Sequence, residues 1–180
     1  MARIKYVTRD STVSGISDAF STLEELGSEA RELYDNASEG LQQTQRIQTF
    51  EETAGTLEGL SEPDVPACIA DLPISYSEQT SKRGLGRARR CQNAIGVLQA
   101  AAEAAQTWLD EHPVIDDDEP CEGCGRSPGF NLGAGCEKCA DLGDGMAYSN
   151  DDRDEVDTFI SELENAISDA EGCEFPGMFG

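Results

Sequence analysis

Four of the seven cysteines fall into two pairs, Cys121-Glu-Gly-Cys124 and Cys136-Glu-Lys-Cys139, separated by eleven residues. Zinc takes four soft ligands in a tetrahedron, at about 2.3 Å from each sulfur. A CxxC turn sets two thiolates on one side of the metal, and a second pair closes the other side. Gly123 and Gly125 let the first turn tighten and leave backbone N–H groups free to face sulfur. The intervening GRSPGFNLGAG is glycine-rich and too short for an apolar core, so a metal would have to serve as the core. With Cys121, Cys124, Cys136 and Cys139 all cysteine, no position is left open for substrate, and the expected ion is structural Zn2+. The competing chemistry is a pair of disulfides; paired CxxC in a chain for which no secretory leader is expected favours zinc. Four thiolates also bind iron, and that alternative stays open. A redox-active CxxC is disfavoured because no thioredoxin-like βαβ pattern surrounds the pairs.

Other candidates carry less. Cys91 sits in an apolar helical seam and reads as a small core residue, Cys68 as packed in a connector, and Cys173 as a spare thiol near the tail. His112 is the only histidine, at the end of a predicted helix, and EHPVI around it does not suggest a catalytic triad. Lys82, Arg83, Arg87, Arg89 and Arg90 form the one basic patch. Antiparallel pairing predicts ion pairs from it to Glu51, Glu52 and Glu58 rather than phosphate contacts. GLGRAR (84–89) lacks the third glycine of a dinucleotide fingerprint and lies in a helical pattern. The acidic runs at 116–119 and 151–157 lack the EF-hand spacing.

The elements that would hold these residues are mainly helical. Val13, Ile16, Phe20, Leu23, Gly27, Ala30, Tyr34, Ala37, Leu41 and Thr44 alternate in steps of 3 and 4, a heptad seam that resumes at Ile47, Phe50, Ala54 and Leu57. An unbroken helix over 12–60 would span about 70 Å, with Gly27 and Gly40 as places for a kink. SEPDVPACIADLPIS (61–75) is a proline-rich connector whose Val65, Ile69, Leu72 and Ile74 pack on the helices, and Ser77-Glu78 resemble a helix start. Ala88, Cys91, Ile95, Leu98, Ala102, Ala105 and Leu109 form the seam of a second helix, ended by Pro113. Residues 12–112 are thus expected as a long antiparallel, coiled-coil-like hairpin. Before it, RIKYV in the arm 1–11 is a short strand or an extended arm docking on a neighbour. After it come an acidic linker (113–120), the zinc module (121–148), and a C-terminal helix (149–172) whose face is Val156, Phe159, Ile160, Leu163, Ala166, Ile167 and Ala170. The tail 173–180 either inserts into a neighbour or folds back.

CEGCG and CEKC resemble the zinc-ribbon and zinc-knuckle class, and CEGCGRSPG with CEKCADLGDG is locally similar to the cysteine-rich module of DnaJ-type chaperones. The likeness covers about 25 residues. Four CxxC pairs mark that chaperone module and two are present here. Ala140 replaces the glycine after the second pair, and no HPD motif occurs. The resemblance therefore implies zinc binding and no chaperone activity.

Thirteen Lys and Arg stand against 36 Asp and Glu, a formal charge of −23. Such a chain has no overall attraction to nucleic acid or anionic membranes, and no stretch approaches the roughly 18 apolar residues of a membrane span. MARIKYVTRD is followed by no apolar stretch, so a secretory signal is not expected. Lysine occurs only at Lys5, Lys82 and Lys138; a carboxylate-rich, lysine-poor composition resembles that of proteins from salt-loving archaea and their viruses. The expected function is a non-catalytic, zinc-stabilised assembly protein, cytoplasmic or in a virion, that binds itself or other proteins across incompletely covered seams. The alternative is a regulatory or nucleic-acid-associated zinc ribbon, including an acidic DNA mimic.

Overall fold

The computed structural model describes residues 3–9, 11–80, 84–112 and 150–176. The acidic linker, the four paired cysteines, Lys82, Arg83, and the tail's Met178 and Phe179 lie outside the described residues. Along the rest run β1 (Arg3–Arg9), α1 (Thr12–Asp35), the single turn α2 (Glu39–Gln42), α3 (Gln45–Glu58), β2 (Ile74–Thr80), α4 (Arg87–Glu111) and α5 (Asn150–Glu171). The architecture is mainly helical, as the periodicity predicts.

The helix expected over 12–60 is two helices folded against each other. α1 begins at a local cap: Ser11 is extended, and its hydroxyl accepts the Ser14 N–H at 3.3 Å. It stops at Asp35. Ser38 and Thr44, which precede α2 and α3, are extended; Thr44 Oγ1 donates to the Leu41 carbonyl at 2.6 Å, and Asn36, Ser38 and Thr44 are residue types that favour caps and turns over helix interiors. Gln42 Nε2 donates to the Tyr34 carbonyl at 3.1 Å, joining the Ala37 N–H on that acceptor and tying the turn to the end of α1. α3 then runs back along α1. Gly27 lies inside the unbroken α1, and its missing Cβ admits α3: a methyl there would stand 3.1 Å from Leu57 Cβ. Ala30, Phe50 and Ala54 form a small cluster between the two helices, flanked by Leu33 and Ile47.

Folding α3 back widens the buried face of α1 beyond a coiled-coil seam. Gly15, Ile16, Ala19, Phe20, Leu23, Leu26, Gly27 and Ala30 are all buried, the broad stripe of a globular helix touched on two sides. Leu26 joins it from outside the predicted seam, while the seam's Val13 and Leu41 are 42 % and 54 % exposed. α4 packs along the other side of α1 in the opposite sense, with Gly15 close to Val97 and Glu29 paired to Arg87. α4 buries Cys91, Ala94, Ile95, Val97, Leu98, Ala101, Ala105, Trp108 and Leu109. α5 covers its remaining flank with Val156, Phe159, Ile160, Leu163, Ala166 and Ala170, matching the predicted face except that Ile167 is only half-buried. Each fully buried Leu or Ile contributes about 1.5–3 kcal/mol before ordering costs. The seams that would have asked for a second copy are covered within the chain, among the described residues.

Two segments differ from the sequence reading. Residues 74–80 form a strand, not the start of a helix: from Ile74 to Ser77 burial alternates strictly, with Ile74 and Tyr76 inward. This strand supplies the partner for the N-terminal arm. β1 pairs with it antiparallel from Arg3 opposite Thr80 to Arg9 opposite Ile74, so the arm docks on its own chain. On the far edge of β2, the Asn93 amide accepts from the Gln79 N–H at 3.1 Å and donates to its carbonyl at 3.0 Å, standing in for a third strand.

The connector behaves as predicted. Ile69 and Ile74 are fully buried, with Val65 and Leu72 packed beside them. Thr12 Oγ1 donates to the Leu72 carbonyl at 2.9 Å, fastening the connector to the start of α1. The first part of the tail folds back: Phe175 packs on the core, and Thr53 Oγ1 donates to the Glu174 carbonyl at 2.9 Å.

Candidate functional site

Cys121, Cys124, Cys136 and Cys139 all lie between α4 and α5, and the described residues show how that segment is anchored. α4 and α5 are antiparallel, so residue 112 and residue 150 emerge at one end of the body. Arg153, in the first turn of α5, donates from Nη1 to the Leu109 carbonyl in the last turn of α4 at 2.8 Å. That bond brings a cation to the negative end of the α4 dipole and uses one of its unpaired carbonyls. Next to it, His112 stacks on Trp108, with ring centroids 4.2 Å apart and planes 16° apart. His112 Nδ1 lies 2.7 Å from the Trp108 carbonyl, which also accepts the His112 backbone N–H at 3.0 Å. Donation to that carbonyl puts the ring proton on Nδ1. The histidine therefore caps α4. Among the described residues no group of three or more His, Cys, Asp or Glu could hold a metal ion.

Two residues of the basic patch, Arg87 and Arg90, turn onto α1, while Arg89 is exposed. Arg87 Nε donates to Glu29 at 2.7 Å, Arg90 bonds the other Glu29 oxygen, and Arg90 Nη2 reaches Glu25 at 3.0 Å. Burial pushes the Glu29 carboxyl up, but hydrogen bonds and charge from Arg90 and Arg87 outweigh it and hold the group below its ordinary value. The predicted ion pairing is present with different partners. α1 rather than α3 faces the start of α4, and Glu58 instead takes Arg31 at 2.8 Å.

The remaining thiols are buried to different degrees. Cys91 and Cys173 line one cleft of about 350 Å³ with Ala88, Ile95, Ala170 and Phe175. Burial pushes the Cys91 thiol up to about 11, with a smaller push from Cys173. Burial also raises Cys173, helped by Asp169, and raises Cys68, helped by Asp152. All three rest as protonated thiols at neutral pH, so reaction at any of them begins with loss of its proton. A second hollow, about 430 Å³, is lined by Ser17, Ser21, Ser28, Glu24 and Glu58 together with Phe20, Leu57 and other residues, none of them a histidine or lysine.

The sequence reading missed that Cys91 and Cys173 share a cleft, and it missed the bond between the stems. The signal for the first was present: Cys173 follows Ala170, the last inward residue of α5, by three positions. Arg153 is the only cation in α5, and its position in the first turn marks the second. No helix among the described residues is long and apolar enough to cross a membrane. Comparison with family models, curated proteins and solved structures finds no match to this chain.

Proposed function

We propose that the chain is a non-catalytic structural protein in which a tetrahedral zinc, held by Cys121, Cys124, Cys136 and Cys139, stabilises a module that makes protein contacts in a larger assembly. The observation that carries this reading is the fastened stem. Arg153 and Leu109 bring the ends of the segment together, so closing it costs little further entropy and a metal clip can rigidify it. Because α5 and α3 cover the α4 and α1 seams, contacts with partners fall to this module and to the acidic outer faces. At molar salt the Debye length is about 3 Å, so a surface of charge −23 stops repelling its neighbours. That supports a high-salt setting, and a virion or a large cellular complex is the proposed place. A nucleic-acid-associated ribbon is less well supported, because Arg87 and Arg90 are already paired with glutamates.

Light scattering of the purified full chain, in dilute and in molar salt, tests the reading. An oligomer that persists in molar salt and falls apart on chelation is expected. A monomer under both conditions that shifts a DNA fragment in dilute salt would contradict it.

A further inference from the structure

We propose that Cys91 and Cys173 are a redox-modification site: oxidation joins them in a disulfide that staples the segment after α5 to α4. Neither belongs to the paired CxxC set, so the inference stands independently of the zinc reading. Both residues line the same cleft, and both hydrogen-bond to one atom. The Ala170 carbonyl lies 3.7 Å from Cys91 Sγ, as acceptor of its S–H, and 3.2 Å from the Cys173 backbone N–H, which it also accepts. Cys173 Sγ donates to the Asp169 carbonyl at 3.5 Å, a weak bond that a side-chain rotation gives up. No cysteine in this region is already bonded: Cys68, Cys91 and Cys173 are all free.

The two residues are unequal, and that sets the order of events. Cys91 is 3 % exposed, whereas Cys173 is half-buried at the rim. The oxidant is a low-molecular-weight disulfide of the oxidised-glutathione class. Cys173 loses its proton and attacks one sulfur of the small disulfide; the small S–S bond breaks, a mixed disulfide forms, and one small thiolate leaves and takes up the proton. Cys91 then loses its proton and attacks the Cys173 sulfur, releasing the second small thiolate, which is protonated in turn. Two protein thiols are oxidised, one small disulfide is reduced to two thiols, and no other electron source is needed. The staple holds the tail where the Thr53 bond to Glu174 already places it, and it cross-links distant positions of the unfolded chain, which loses entropy.

The test uses the full-length protein as purified, carrying Cys68→Ser, incubated with oxidised glutathione, alkylated and mapped by mass spectrometry. The expected product yields a cross-linked peptide joining Cys91 to Cys173 that is two hydrogens lighter than the sum of its two thiol peptides. Its thermal midpoint is higher by roughly 5–10 °C, reversibly with a reducing thiol. Cys173→Ser removes both effects, and Cys91→Ala stops the reaction at a glutathione adduct on Cys173. An adduct that stays on Cys173 with Cys91 present, a bond from Cys173 to any other cysteine, or no reaction at Cys173 would overturn the proposal.

Discussion

Arg153 Nη1 donates to the Leu109 carbonyl at 2.8 Å, tying the first turn of α5 to the last turn of α4 at the point where the four-cysteine segment leaves and returns. A charged donor on a half-buried carbonyl is worth about 1.5–3 kcal/mol. Arg153→Ala should lower unfolding stability by about 1–2 kcal/mol, read as a lower urea midpoint with unchanged slope. It should also speed metal release to a chelator, because the stem that closes the segment is loosened. An unchanged release rate would separate the stem from the metal.

Glu29 accepts from both Arg87 and Arg90. Its carboxyl is held below the ordinary value of 4.5, so the stabilisation is complete above that value and is lost as pH falls through the lower folded one. The side chains are partly exposed and screened, which limits the effect to about 0.5–1 kcal/mol. Glu29→Gln should lower the urea midpoint at pH 7 in dilute salt. The gap from the parent should shrink in molar salt and close as pH falls below the lowered folded value of Glu29, since protonation removes the same charge. A gap that persists at low pH would assign the effect to packing.

Two helical glycines should respond oppositely to alanine. Gly55 is exposed on α3, and a methyl added there would meet nothing within 4 Å, so Gly55→Ala should stabilise by about 0.5–1 kcal/mol. At Gly15 a methyl would meet Ile74 Cδ1 at 2.5 Å and Val97 Cγ1 at 3.3 Å, where α1 crosses β2 and α4. Overpacking there costs about 1–3 kcal/mol and outweighs the helix gain, so Gly15→Ala should destabilise. Thermal unfolding of the two variants decides, and equal shifts would refute the close approach.

What could be read in advance depended on range. The inward faces of α4 and α5 were legible because Cys91, Ile95, Leu98, Ala105, Leu109 and Val156, Phe159, Leu163 recur at helical spacing, a local property. The turn at 36–44 was hidden by spacing that continues through Ala37, Leu41 and Thr44, residues too small, exposed or polar to anchor a seam; the better signal was Asn36 and Ser38, which favour caps and turns. The β1–β2 pair was not legible. Its register joins Arg3 to Thr80 across most of the first half of the chain, and long-range pairing leaves no local periodicity. β2 was also misread because Ser77-Glu78 imitates a helix start, although the alternation at Ile74, Tyr76 and their serine neighbours was visible. The zinc-ligand expectation rests on spacing alone, since those cysteines lie outside the described residues.

The central claim is a zinc tetrahedron on that fastened stem, and metal analysis of the purified full chain beside its Cys124→Ser variant tests it most directly. The account predicts one zinc per wild-type chain, a loss of most of it in the variant, and thermal unfolding of the variant at a lower temperature. Wild-type protein that is folded and metal-free, or a variant with undiminished metal, would contradict it.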